Sequence, residues 1–444
     1  MMNNHHRRRD AAATGAGRYS PEDGAEAQAY LARAERDCGQ VPGLSRDVAP
    51  RSISRIGVVG AGTMGSGITL AFLSSAFDVV LLDRSAQVLK AAKSRITRSV
   101  DRSVLKGRIS RETADRQIAA LAITDQMAAI ANCDLVVEAV FESLAVKSAV
   151  FEELDSVLRS GAILATNTSF LDVDALAAVT GRPSDVVGLH FFAPANVMRL
   201  LEIVRGSETS DDVLATVQWL AGKLGKLGVV SGVCHGFIAN RAMSTRRNAA
   251  NALLLQGAAP QDIDRVMVDY GFSMGPYRML DLVGLDVGWD RENSEGRTVQ
   301  EILCETGDLG QKSGAGYYDY SSETPVPNAR ALKAIDTMRQ RQGSGSKTFS
   351  DQEILFALLD PVVNEGARLL EEGIALRASD IDAALVAGYG WPRSKGGPMF
   401  WADTIGLPQI VERLEMRRKT PLAVPISTKL RQMAAQGHRF VRLD

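Results

Sequence analysis

The stretch RIGVVGAGTMGSGITLAF, Arg55 to Phe72, limits what this chain can become more than any other. A β-branched run, Ile56 to Val59, meets three glycines, Gly60, Gly62 and Gly65, in the spacing G-x-G-x-x-G. Beyond them the pattern turns helical. A strand that turns straight into a helix needs the first glycine for the tight turn. The second lets the backbone approach a ligand, and the third lets helix and strand pack closely. Thr63 and Met64 complete the loop, and the unpaired N–H groups at the helix start suit a pyrophosphate.

The same rhythm continues to Ser231. Short β-branched runs recur at DVVLLD, DLVVEAV, AILATN, DVVGLHFF, LLEIVRG and KLGVV, with helix-like stretches such as SAQVLKAAKSRITRSVDRSVLKG between many of them. That alternation predicts a mostly parallel, doubly wound Rossmann-type sheet over 53–231. The run VVLLD ends at Asp83, whose carboxylate suits the hydroxyls of an adenosine ribose and repels a 2′-phosphate. NAD(H) is therefore expected over NADP(H). The competing reading makes Asp83 a helix cap, and neighbouring Arg84 is a residue type that accommodates a phosphate.

After Ser231 the texture is helical, in GFIANRAMSTRRNAANALLLQG and PQDIDRVMVDYG. DIDRVMVDYGFSMGPYRMLDLVGL, Asp262 to Leu285, returns as DIDAALVAGYGWPRSKGGPMFWADTIGL, Asp380 to Leu407. A shared DID start, GP pair and GL end mark an internal repeat. The expected fold class is thus α/β plus all-α: a Rossmann-type sheet followed by two homologous helical domains, 232–322 and 349–444, packed as one layer. A polar connector fills 323–348, through SSETPVPNA and RQRQGSGSK. Residues 1–52 read as a disordered tail over 1–23, a short helix in GAEAQAYLARAERDC, and a linker.

Bulk properties exclude several classes. A net charge of −1 gives no pull toward nucleic acid or an anionic membrane. No apolar run is long enough to span a bilayer. Four cysteines, Cys38, Cys133, Cys234 and Cys304, lack CxxC spacing, which speaks for a reducing compartment and against a metal site. The N-terminal segment has no apolar signal-peptide core, and VRLD is not a peroxisomal address. Cytoplasmic placement is expected.

Hydride transfer from an alcohol needs a base for the hydroxyl proton, and histidine suits neutral pH. Of five histidines, His5 and His6 lie in the tail and His438 near the C-terminus, which leaves His190 and His235. His190 stands at the carboxyl end of a strand, where open α/β sheets hold ligands. Glu202, in VMRLLEIV, is an acid inside the otherwise apolar strand LLEIV, and a buried carboxylate needs a partner. A histidine on the neighbouring strand supplies one and gains a fixed tautomer and basicity. Ser169, in ATNTSF, has two readings: a donor to a substrate oxygen, or a cap of the following helix. Asn240, in GFIANR, either reaches the cleft or caps a helix.

With these residues in hand, the chain from about 53 to 320 resembles the 3-hydroxyacyl-CoA dehydrogenases. GAGTMGSGI, VVEAVFESLAVK, TNTS, GLHFFAPANVMRLLEIV, GFIANR, MGPYRMLDLVGLD and GQKSGAGYYDY carry the resemblance in order. GLDVGWD, AGYGWPRSKGGPMFWADTIGL and the linker VPGLSRD are similar to the dehydrogenase half of the multifunctional fatty-acid oxidation enzymes, without the hydratase half. The resemblance implies NAD-dependent oxidation of (S)-3-hydroxyacyl-CoA in fatty-acid β-oxidation. It implies His190 as base with Glu202 as its orienting partner, and Ser169 and Asn240 around the reacting oxygen and nicotinamide. Glu142, Lys147 and Lys312 match cofactor contacts, and Ser99 and Lys106 match contacts to the coenzyme A moiety. Ala193 and Phe170 depart from short-chain members, which leaves chain length open. The rivals are a dehydrogenase of another hydroxy acid and a non-catalytic subunit associated with a hydratase or thiolase. A second helical copy also suggests a monomer-capable chain.

Overall fold

A computed structural model describes residues 21–343 and 345–441. The tail expected over 1–23, with His5 and His6, lies outside the described residues as far as residue 20.

Eight strands form one sheet: β1 (Arg55–Val59), β2 (Asp78–Leu82), β3 (Leu121–Thr124), β4 (Leu135–Glu138), β5 (Ile163–Thr166), β6 (Val186–Phe191), β7 (Leu200–Val204) and β8 (Leu227–Ser231). Their order is β3-β2-β1-β4-β5-β6-β7-β8. Every neighbouring pair is parallel except β6 and β7. The segment 192–199 is too short for a crossover, so β7 must return antiparallel to β6. The helix Asp211–Lys223 then restores the parallel direction for β8. Seven strands are buried along nearly their whole length, as a sheet covered on both faces requires. β3, LAIT, is a four-residue edge strand with Ala122 and Ile123 exposed, and an apolar run this short directly after a helix reads as the end of that helix.

The helical part shares a single core. Buried residues of both repeats, of the helix Pro21–Asp37, and of β7 and β8 (Leu200, Leu227, Val229) form one continuous cluster. The helices Ala239–Gln256 and Asp351–Glu371 lie along each other at its centre. Inside the stretch read as a connector, Ala329–Arg341 is a helix that buries Ala331, Ala334, Ile335 and Met338. Its flanking prolines and glycines obscured that periodicity.

The repeat is visible in the bonding as well as the letters. Asp264 accepts from the backbone N–H of Tyr277 and Arg278, each at 2.9 Å. Asp382 accepts from Met399 and Phe400 at 2.7 and 3.0 Å. In each case the second Asp of DID caps the helix that starts at the GP pair. Further on, Asp281 accepts from Tyr317 and Tyr318, and Asp403 accepts from Phe440 and Val441. One partner differs. The Tyr318 hydroxyl donates to Asp264 at 2.8 Å within its own repeat, whereas Asp382 receives the Tyr30 hydroxyl at 2.8 Å from the helix Pro21–Asp37.

That helix therefore completes the second repeat. Tyr30 is buried and stacks on Phe400 at 4.9 Å. Glu35 on the same helix binds Arg199 at 3.1 Å and Arg393 at 2.6 Å, joining sheet and second repeat. Tyr30→Phe should lower unfolding free energy by about 2 kcal/mol, because it strips a donor from a buried carboxylate. Urea denaturation checks this, and an unchanged midpoint and slope would show that the bond contributes nothing net.

Candidate active site

β1 delivers the chain into the glycine loop. Gly60 has φ +99°, and a Cβ there would lie 2.6 Å from the Ala139 carbonyl oxygen. A Cβ on Gly65 would lie 1.7 Å from the Gly60 carbonyl oxygen, so the packing admits glycine alone. A Cβ on Gly62 meets nothing within 4 Å, so this face is open for a ligand to approach. The helix Thr63–Ser74 starts beyond Gly62 without a side-chain cap, which leaves its first N–H groups to an anion. Thr63 is exposed there and Met64 half-buried.

Asp83 follows β2 and braces this loop. Its Oδ2 accepts from Ala61 N at 2.8 Å and its Oδ1 from Ser85 N at 2.9 Å. The cap of the next helix, Ala86–Leu105, is Ser85. Each Asp83 oxygen keeps a second lone pair for a ribose hydroxyl. Arg84 turns away to Glu153, at 3.0 Å. Arg95 reaches back from the helix Ala86–Leu105 and donates to Ala61 O at 2.7 Å and Ser66 Oγ at 3.0 Å.

The ends of β4 and β5 hold a second group. Glu138 is fully buried, and Oε1 accepts from Lys147 Nζ at 2.8 Å while Oε2 accepts from Thr166 Oγ1 at 2.8 Å. Lys147, also fully buried, lies 3.4 Å from Glu142. Glu142 accepts from Thr168 Oγ1 at 2.6 Å and Ser169 N at 2.8 Å. Burial works to raise its pKa, but these bonds and the Lys147 charge outweigh it and hold Glu142 below the usual carboxylate value. Glu142 and Lys147 thus form a clamp on the TNTS loop that fixes Ser169. The helix Val173–Ala177 is capped by Asp172, so Ser169 is not its cap.

The antiparallel turn-back sets the centre of the site. His190 on β6 stands directly opposite Glu202 on β7, and His190 Nδ1 lies 2.7 Å from Glu202 Oε2. His190 is 4% exposed and Glu202 0%. A carboxylate only accepts, so this contact suits a hydrogen on Nδ1 and a tautomer whose Nε2 could take a proton. The other oxygen, Oε1, accepts from Ile238 N at 3.1 Å and Ala239 N at 2.8 Å. These are the first N–H groups of the helix Ala239–Gln256, which has no side-chain cap of its own. Asn240 follows directly, and its Oδ1 accepts the Tyr389 hydroxyl at 2.6 Å. Asn240 is therefore not a cap; Glu202 serves in that place. The imidazole lies between Phe192 and Phe237, with ring centroids at 4.4 and 5.7 Å.

Other candidates lie elsewhere. His235 is exposed and stacks on Phe170 at 4.9 Å. Ser99 lies on the helix Ala86–Leu105, and Lys106 is its exposed C-cap. Lys312, in the first helical repeat, is held by Asp286. Among the described residues, no hydrogen bond or ion pair joins Ser99, Lys106 or Lys312 to the His190–Glu202–Asn240 group.

Two family models match: 3-hydroxyacyl-CoA dehydrogenase, NAD binding domain, over residues 55–234, and its C-terminal domain over residues 236–320. Together they cover more than half of the sequence. The chain belongs to the 3-hydroxyacyl-CoA dehydrogenase family. The peroxisomal bifunctional enzyme of Homo sapiens is 38% identical over 419 residues, which are 88% of this chain and 58% of that enzyme. The chain thus spans less than two thirds of the length of that relative. The 3-hydroxybutyryl-CoA dehydrogenase of Escherichia coli is 28% identical with a TM-score of 0.75, over 87% of this chain and 99% of that one. The dehydrogenase part of multifunctional enzyme 1 from C. elegans is 28% identical with a TM-score of 0.65, over 94% of this chain and 100% of that one.

Four residues of this 3-hydroxyacyl-CoA dehydrogenase family member escaped the sequence reading. Glu138 offered the same signal as Glu202, an acid in an apolar strand. Asn167, in TNTS, accepts from Phe191 N at 2.8 Å and ties β5 to the end of β6. Lys226 donates to Ala195 O at 2.6 Å and Met198 O at 2.7 Å, pinning the loop between the strands of His190 and Glu202. Burial lowers its pKa to about 8. Arg95 gave no signal among the other basic residues of its helix. Gly62→Ala should leave stability unchanged while weakening NADH binding at least tenfold, since the added methyl enters only the open face. Gly65→Ala should lose both binding and folding. Thermal melts beside fluorescence titrations check this, and equal melts with equal dissociation constants for all three proteins would contradict it.

Proposed function

We propose that the chain oxidises (S)-3-hydroxyacyl-CoA to 3-ketoacyl-CoA, reversibly, with NAD, as a step of fatty-acid β-oxidation. The observation that carries this reading is the His190–Glu202 pair at 2.7 Å, at the carboxyl end of β6 in the sheet that bears the glycine loop. Support for NAD comes from the open face of Gly62, the uncapped helix start, and Asp83 with spare acceptor capacity while Arg84 is engaged by Glu153. When bound, NAD supplies the hydride acceptor.

The chain's own residues handle the proton. His190 Nε2 takes it from the 3-hydroxyl. Glu202 favours the resulting imidazolium by charge and keeps the ring from turning. Ser169, fixed by Glu142, and Asn240 hold the reacting oxygen and thioester. Phe192 and Phe237 exclude water from the imidazole. Lys312, Ser99 and Lys106 belong to the same reading as cofactor and coenzyme A contacts. So does the division into 53–231, 232–322 and 349–444. The shared helical core supports a monomer-capable chain, which light scattering tests, and four unpaired cysteines support a reducing, cytoplasmic setting. Among the described residues no helix is long and apolar enough to cross a membrane.

The test is NADH loss with acetoacetyl-CoA and longer 3-ketoacyl-CoA thioesters. Native protein should turn over. His190→Ala should lose about 10²–10⁴ in kcat, the share usual for a general acid or base. Glu202→Gln should lose roughly as much, because an amide oxygen stabilises an imidazolium poorly. No native rate with any thioester, or full activity in His190→Ala, would defeat the proposal.

A further inference from the structure

The second helical repeat reaches the site through Tyr389. Tyr389 is the last residue of the helix Ala378–Tyr389, and Gly390 ends that helix in a left-handed conformation. The helix end presses directly on β7: a Cβ on Gly388 would lie 2.5 Å from Leu200 Cδ2, and Leu200 is two positions before Glu202. Two more contacts fix the distance between the repeat and the site. Gly232 N donates to Ile374 O at 2.8 Å, and Arg241, adjacent to Asn240, pairs with Glu365 and Glu372, each at 2.6 Å. Within that frame the Tyr389 hydroxyl donates to Asn240 Oδ1 at 2.6 Å. The Tyr389 ring stands edge-on to Phe192 at 6.1 Å, and Phe192 lies 4.4 Å from His190.

A carboxamide presents an acceptor oxygen on one side and two N–H donors on the other. Which side faces a substrate depends on what holds the first. Burial, helped by the Glu202 charge, lifts the Tyr389 phenol to about 12, so it remains a donor throughout the working pH range. We propose that Tyr389 is a positioning residue whose hydroxyl holds the Asn240 oxygen, turning the Asn240 amide N–H groups toward the reacting oxygen of the 3-hydroxyacyl thioester. Flipping the carboxamide would take the acceptor away from the phenol O–H and set the amide oxygen against the substrate oxygen. Tyr389 selects between these orientations, and the second repeat contributes to the chemistry as well as to the core. The assignment rests on the function proposed above and adds a residue from outside the two matched domains.

The experiment is a double-mutant cycle on acetoacetyl-CoA reduction with native protein, Tyr389→Phe, Asn240→Ala and the pair. Tyr389→Phe keeps the ring against Phe192 and should lower kcat roughly tenfold, the worth of one well-placed hydrogen bond. Its KM, NADH dissociation constant and melting temperature should stay at native values. Asn240→Ala should lose more, and adding Tyr389→Phe to it should cost nothing further. A merely structural tyrosine would give the same loss in both backgrounds, and that result overturns the assignment. Native kcat in Tyr389→Phe overturns it too. A native chain with no turnover of any 3-ketoacyl thioester defeats the functional reading itself, and this assignment falls with it.

Discussion

The carboxylate of Glu202 is the interaction on which the rest depends. A carboxylate with no exposure to solvent costs several kcal/mol to bury unless both of its oxygens are hydrogen-bonded. Here one oxygen takes the His190 imidazole and the other takes two backbone N–H groups from the start of a helix. Those N–H groups carry the positive end of the helix dipole, so they favour the charge they receive. One buried carboxyl group thereby fixes the His190 imidazole, the pairing of β6 with β7, and the angle at which the helical part leaves the sheet. Losing any partner leaves a desolvated group behind, which is why the three features are not separable.

From that point the site is assembled by neighbours of neighbours. Asn240 follows the helix start that Glu202 caps, and Arg241 after it grips the second repeat through Glu365 and Glu372. The second repeat needs the Tyr30 hydroxyl from the N-terminal helix to satisfy Asp382, and that helix binds the sheet through Glu35 and Arg199. The arrangement is therefore a closed loop of contacts rather than a sheet with helices appended. On the other side, the fully buried Glu138–Lys147 pair anchors the more exposed Glu142, which holds the Ser169 loop as Glu202 holds His190.

Much of this was legible where a signal is local. The glycine spacing, the β-branched runs and the DID…GP…GL repeat each report a constraint within about 30 residues. Glu202 showed itself because an acid inside an apolar strand is costly, and only one strand histidine was available to meet it. Signals that depend on distant partners were silent. Tyr30 and Asp382 are 352 positions apart, and Asn240 and Tyr389 are 149 apart, so neither partnership leaves a pattern in the letters. β3 was hidden because four residues directly after a helix are too few to show a strand period, and the helix Ala329–Arg341 because prolines and glycines flank a correct amphipathic period. Arg95 clamps the glycine loop with the same residue type that elsewhere simply faces solvent.

The most direct measurement is the ¹⁵N and ¹H spectrum of the His190 imidazole in protein labelled at histidine only, which is practical with five histidines in the chain. A ring oriented by Glu202 should be neutral at alkaline pH with its proton on Nδ1, slow to exchange with solvent, and a bare Nε2. Glu202→Gln should abolish that slow exchange. A ring protonated on Nε2, or an Nδ1 proton that exchanges freely in the native protein, would contradict the claim that Glu202 orients the base.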